Sequence, residues 1–149
     1  MGTNESALAN PSGHTSLEVE GVIWNATQHT ATADQIEQGV VDLPPKLRAQ
    51  LAEFLTFEKL PTNDDLLLRG VLVTEVLLRA GAKPGSRVLI GGAPFFMESL
   101  CTALRSVGYV PVFAFSRRES VEKVMSDGSV QKVAVFRHLG FVTPEAPWL

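Results

Sequence analysis

The sequence predicts an α/β fold, a small Rossmann-like parallel sheet flanked by helices and finished by a C-terminal β-hairpin. Three observations predict it. Short apolar runs that end in turn-forming residues alternate with segments of helical periodicity. The helical segments carry their own start or stop signals. The last apolar stretch turns back about Asp127 and Gly128, a dipeptide type that is a strong short-range hairpin signal. A length of 149 residues with 45% hydrophobic content suits one domain with a real core. The expected division is a tail over residues 1–20 and a single domain over 21–149.

The tail is polar and rich in Ser, Thr, Asn and Gly, so it reads as mobile and its His14 is set aside as a site residue. It has neither the basic start nor the apolar core of an export signal. No later run approaches the roughly 18 apolar residues that a membrane span needs. A cytoplasmic protein without a membrane partner is expected, and a lone Cys101 in an apolar helical pattern agrees with a reducing compartment. That cysteine reads as a small core residue and offers no metal-ligand cluster.

"GVIWN" is the first strand. "TQHTATADQIEQG" is a loop entering a helix: Thr32 and Gln35 form a capping-box pair, Asp34 suits the positive dipole end, and Gly39 follows the last turn. Pro44 and Pro45 open a second helix over Lys46 to Leu55, with Leu47, Leu51, Phe54 and Leu55 at helical spacing. Asn63 is the expected cap of a third helix that stops at Gly81, with Pro84 beyond. Arg87 to Ile90 form the next strand, which ends in Gly91 and Gly92, and Pro94 then opens a helix to about Val107. "YVPVFAF" is apolar throughout, as a strand covered on both faces should be, and is expected to end at Phe115. The two β-rich arms around Asp127 and Gly128 complete the hairpin.

In an open parallel sheet, ligands bind beyond the carboxyl ends of the strands, near the point where strand order reverses. Three loops are expected at that edge. The first carries Thr27, Gln28, His29 and Thr30; the second carries Gly91 and Gly92 ahead of a helix N-terminus; the third carries Ser116, Arg117 and Arg118. Glycine allows close backbone approach, helix N-termini favour anions, and arginine forks match phosphate. The charge distribution agrees. The net charge is −3, yet residues 105–138 hold six basic residues against three acidic ones. A small anionic ligand fits this asymmetry better than a long nucleic acid does.

Each feature also has a purely structural account. The glycine pair is neither a GxGxxG nor a P-loop. Arg117 and Arg118 can pair with Glu119 and Glu122 on the surface, His29 can fix a turn, and His138 ends a strand. The convergence of three loops on one edge raises the functional reading above these.

The loop "TQHTATADQ", the turn "GGAPFF" and above all the run "PVFAFSRRESVEKVMSDGSVQKVAVFRHLGFV" resemble the small stand-alone CRISPR-associated Rossmann-fold (CARF) ring nucleases. Those proteins have a comparable histidine-containing loop after the first strand. They close on a Rossmann strand, a basic and acidic segment, a hairpin about an Asp-Gly-type turn and a Phe-Lys/Arg-His motif. The resemblance is best over Val22 to Asp34 and Val88 to Val142. The tail before Gly21 and the proline-led segment 43–63 depart from it, and the second bears on how a pocket is covered.

The resemblance implies binding of a cyclic oligoadenylate across a homodimer axis and its linearisation without metal or cofactor, which switches off type III CRISPR signalling. A ribose 2′-hydroxyl would attack the neighbouring phosphate in line. Arg117 and Arg118 are then the expected phosphate-binding and charge-stabilising groups. Ser116, Thr27, Gln28, Thr30 and the amides of Gly91 and Gly92 would position the ligand, and His29 is the candidate acid or base. Two other classes stay open: a non-catalytic sensor or sponge for a cyclic nucleotide, and an interaction module whose hairpin extends a partner's sheet.

Overall fold

The computed structural model describes residues 21–145. The expected tail, with His14, lies outside the described residues. The fold is the α/β class expected, a five-stranded, mostly parallel sheet with helices and an antiparallel C-terminal strand pair. The elements are β1 (Ile23–Asn25), α1 (Ala33–Glu37), β2 (Val40–Asp42), α2 (Pro45–Leu55), α3 (Asn63–Ala80), β3 (Arg87–Leu89), α4 (Pro94–Ser106), β4 (Val110–Val124) and β5 (Val130–Val142). Strand order is β2-β1-β3-β4-β5, parallel except for the β4–β5 pair.

The two-residue period of the strands divides the core. Val88 and Ile90 face one side and join Leu51, Val73, Val76, Leu77, Phe96, Leu100 and Leu104 from α2, α3 and α4. Ile23, Leu89 and Val112 face the other, with Val40, and pack with Ala31, Val110 and Phe141. Cys101 is buried in the first cluster, as expected for a core residue, and burial pushes its thiol pKa up. Among the described residues, no helix is long and apolar enough to cross a membrane.

Three expectations need correction. First, the parallel sheet has a further strand, β2. Its three residues lie directly ahead of Leu43 and the Pro44–Pro45 pair, so no periodicity could develop. It is held in the fold by parallel pairing of Val40 to Asp42 with Ile23 to Asn25. Second, α3 is capped by Thr62 rather than Asn63. Thr62 Oγ1 accepts from the amide of Asp65 at 3.1 Å, and the Asp65 carboxylate accepts from the Thr62 amide at 2.9 Å. The Thr62 amide bonded to the carboxylate, with the Thr62 hydroxyl beside it, holds the Asp65 carboxyl below the usual aspartate range. A one-residue shift in the cap decides which side chain reaches the amide of the third helical residue.

Third, β4 does not end at Phe115. It runs on to Val124, paired residue by residue with β5 from Phe113↔Val142 to Val124↔Val130, with a register shift between Phe115 and Ser116. The first arm of the hairpin is therefore the continuation of the parallel strand. Burial falls off after Val112, where the pairing with β3 ends at Leu89: Phe113 is half-buried, Ala114 is exposed and Phe115 is 51% exposed.

Candidate functional site

With β1 flanked by β2 and β3, the chain leaves β1 towards one neighbour and later returns on the other side. The switch point of the sheet lies between the ends of β1 and β3. A cleft of about 490 Å³ sits there, with the β1 loop as one wall and the β3–α4 turn as the other. Thr27, Gln28, His29 and Thr30 line the first wall and Gly91 and Gly92 the second. Leu89, Ile90, Phe113 and Ala114 give it an apolar part. The walls come close to each other: a Cβ on Gly91 would lie 3.8 Å from Thr27 Cγ2. Gly92, at φ +127°, adopts a backbone that side-chain-bearing residues avoid.

The β1 loop is held by a polar knot that the sequence did not reveal. Asn25, 4% exposed at the end of β1, donates from Nδ2 to the carbonyl of His29 at 2.7 Å and to Asp42 Oδ1 at 2.8 Å. Its Oδ1 accepts from the Thr27 amide at 3.0 Å and from the Thr27 hydroxyl at 2.7 Å. Asp42 Oδ1 also accepts from the amide of Ala31 at 3.0 Å. One buried amide thus fixes both limbs of the loop that presents His29, and β2 supplies the anchoring carboxylate. The loop then enters α1 through the expected Thr32–Gln35 capping box. Gln28 is tied outward, its Nε2 donating to Thr56 Oγ1 at 3.0 Å, which links this wall to the end of the proline-led helix.

The third expected loop is not at the cleft. Ser116, Arg117 and Arg118 are ladder positions in the two-stranded ribbon beyond it, opposite His138, Arg137 and Phe136. Arg117 Nη2 donates to Glu119 Oε2 at 2.7 Å, and Arg137 Nε donates to Glu119 Oε1 at 2.7 Å. These two guanidinium bonds hold the half-buried Glu119 carboxyl below the usual glutamate range. Arg118 lies on the opposite face of the ribbon. Six of the nine expected site residues therefore meet in one cleft, while the serine and both arginines stand above it. Among the described residues no lysine or arginine lines the cleft. His138 sits within β5, with Nε2 2.9 Å from Gln38 Oε1 and its ring edge-on to Phe141.

A larger hollow of about 640 Å³ lies where α2 passes to α3. Of its two cations, Lys59 and Arg69, the second is already engaged: Arg69 donates to the carbonyls of Phe54 and Thr56 and stacks 4.1 Å over the Phe57 ring. The switch-point cleft is the candidate site because it lies at the carboxyl ends of β1 and β3, with His29 and Thr30 on its wall.

No curated protein and no solved structure matches the chain. Residues 21–142, the described fold almost from end to end, match the family described as Uncharacterized protein MJ1673, and the chain belongs to that family.

Proposed function

We propose that this protein binds a cyclic oligoadenylate at the switch-point cleft, acts as a homodimer in the cytoplasm, and opens the ring as a CARF-type ring nuclease. The observation that supports this is the meeting of the histidine loop and the double-glycine turn in one cleft at the sheet edge where α/β folds take nucleotides. The apolar part, from Leu89 to Ala114, suits a base. The Thr27 and Thr30 hydroxyls and the glycine backbone suit ribose and phosphate.

In this reading the chain's own residues align a ribose 2′-oxygen with the adjacent phosphorus. The P–O5′ bond breaks as the P–O2′ bond forms, which leaves a 2′,3′-cyclic phosphate and a 5′-hydroxyl. One proton leaves the 2′-hydroxyl and one reaches the departing 5′-oxygen, and His29 handles one of these transfers. Arg117 and Arg118 supply charge from the ribbon.

The test is incubation of purified protein with radiolabelled cyclic tri-, tetra- and hexa-adenylate. Linear product released with turnover is the expected result. Intact ligand recovered after denaturation makes the protein a sponge, and no binding to any ring in calorimetry overturns the nucleotide reading altogether.

A further inference from the structure

Among the described residues, β4 beyond Val112 has no strand partner on the side where β3 lay. From Ser116 to Val124 it runs about 30 Å as one half of a bare ribbon. Two-stranded ribbons are marginally stable in water. This one exposes apolar side chains on both faces: Val121 and Val135 on one, Val124, Val130 and Phe136 on the other, with Phe136 75% exposed. Its free β4 edge presents unpaired backbone donors and acceptors, the usual template for strand addition.

We propose that a second copy of this chain pairs with the free edge of β4, antiparallel about a two-fold axis at Ser120, giving a four-stranded ribbon. An isologous contact must be self-complementary, and the charges on β4 satisfy that condition in this register. Arg118 faces Glu122 of the second copy, and the same pair recurs across the axis. Arg118 and Glu122 share a face with Ser120, opposite the face of the Arg117–Glu119–Arg137 cluster. Arg117 then faces Lys123 of the second copy, a like-charge contact that Glu119 beside Arg117 offsets. The outer edge of β5 offers no such match, because its charged residues are Lys132 and Arg137, both basic.

The register has a consequence for the cleft. Residue numbers opposite each other sum to twice 120, so the ladder ends with Val124 of the second copy opposite Ser116, and the turn from Met125 to Ser129 carries that copy's hairpin tip on toward Ala114. That strand lies on the β3 side of β4, above Gly91 and Gly92. The tip of one copy thus comes to the rim of the other's cleft, at Ala114. This deepens the homodimer in the proposed function and rests on that reading only for a ligand lying in that cleft.

The experiment uses the full chain without nucleotide, so its outcome is separate from that of the cleavage assay. Residues directly opposite in an antiparallel pair have Cα atoms about 4.5–5.5 Å apart, within disulfide range. Ser120→Cys should give a covalent dimer under mild oxidation. Lys132→Cys, on the outer strand, three strand spacings across and four residues along from its counterpart and so roughly 20 Å from it, should not. Native Cys101 is buried. Arg118→Glu should raise the dimer dissociation constant by about tenfold or more in sedimentation, and Arg118→Glu with Glu122→Arg should restore it. Circular dichroism checks that each variant is folded. A wild-type monomer at about 100 µM overturns the proposal. So does a dimer that neither cross-links at Ser120 nor responds to the charge exchange.

Discussion

Asn25 shows how much one buried amide does here. It satisfies the His29 carbonyl, the Thr27 amide and hydroxyl, and the Asp42 carboxylate. Removing it leaves the Thr27 amide without a partner and takes one hydrogen bond each from the His29 carbonyl, the Thr27 hydroxyl and the Asp42 carboxylate. Asn25→Ala should therefore cost about 1–3 kcal/mol in urea unfolding and should loosen the loop, seen as faster amide exchange at Thr27 and Ala31. His29→Ala is the complementary test, because the loop is held through its backbone carbonyl rather than through the imidazole. That variant should keep ring binding in calorimetry and lose about 100-fold or more in cleavage, the usual weight of general acid–base catalysis. Unchanged cleavage removes His29 from the mechanism. The cleft residues 27 to 30, 91 and 92 were legible because they follow apolar runs and sit beside turn signals. Asn25 and Asp42 were not, since their meaning is a contact across 17 residues created by β1–β2 pairing.

The elements differ in how local their causes are. The helices were legible because caps and prolines act within one turn, and the single miss, Thr62 for Asn63, lies between two capping residue types one position apart. The packing between helices was less visible. Gly70 lets α3 approach α4 closely: a Cβ there would meet Ala103 Cβ at 3.0 Å and the Ser99 carbonyl oxygen at 3.2 Å. Gly70→Val should cost about 1–3 kcal/mol in chemical denaturation, as overpacking does. A neutral result would mean that the two helices have room to separate.

The length of β4 was hidden for another reason: an arginine pair in a sequence marks a loop and a solvent-exposed ribbon equally well. Pairing with β5, set by the Asp127–Gly128 turn, decides between them. Within the ribbon, the lowered Glu119 pKa has a definite sign. A carboxyl whose folded pKa lies below its unfolded one adds stability above the ordinary glutamate range and loses it as pH falls through the folded value. Ribbon amides should therefore exchange faster on acidification, after correction for intrinsic rates. Glu119→Gln should flatten that dependence. An equally steep profile in Glu119→Gln would assign it to Glu122 or Asp127, the ribbon's other carboxyls.

At the scale of the molecule, the two buried clusters draw nothing from the ribbon above the register shift. The body should fold without it. Arg117 stands opposite Arg137, so deletion of residues 118–136 and closure with Asn-Gly makes a two-residue hairpin loop. The shortened protein should keep its circular dichroism and shift Tm by less than about 4 °C, equivalent to roughly 1 kcal/mol. A larger loss would make the ribbon part of the core rather than an appendage. The α/β class and the edge of the sheet that carries the cleft were readable because they follow from element order. What stands above that edge was not, because it depends on one strand outrunning its neighbour.

That strand joins two regions that most folds keep apart. β4 is core at Pro111 and Val112, cleft wall at Phe113 and Ala114, and free ribbon from Ser116, with an irregularity of pairing between Phe115 and Ser116. It is built as a lever whose pivot adjoins the cleft. Turning it by about 10° there would carry the tip, about 30 Å away, through roughly 5 Å. A ligand that presses on Phe113 would be announced at the far end of the ribbon.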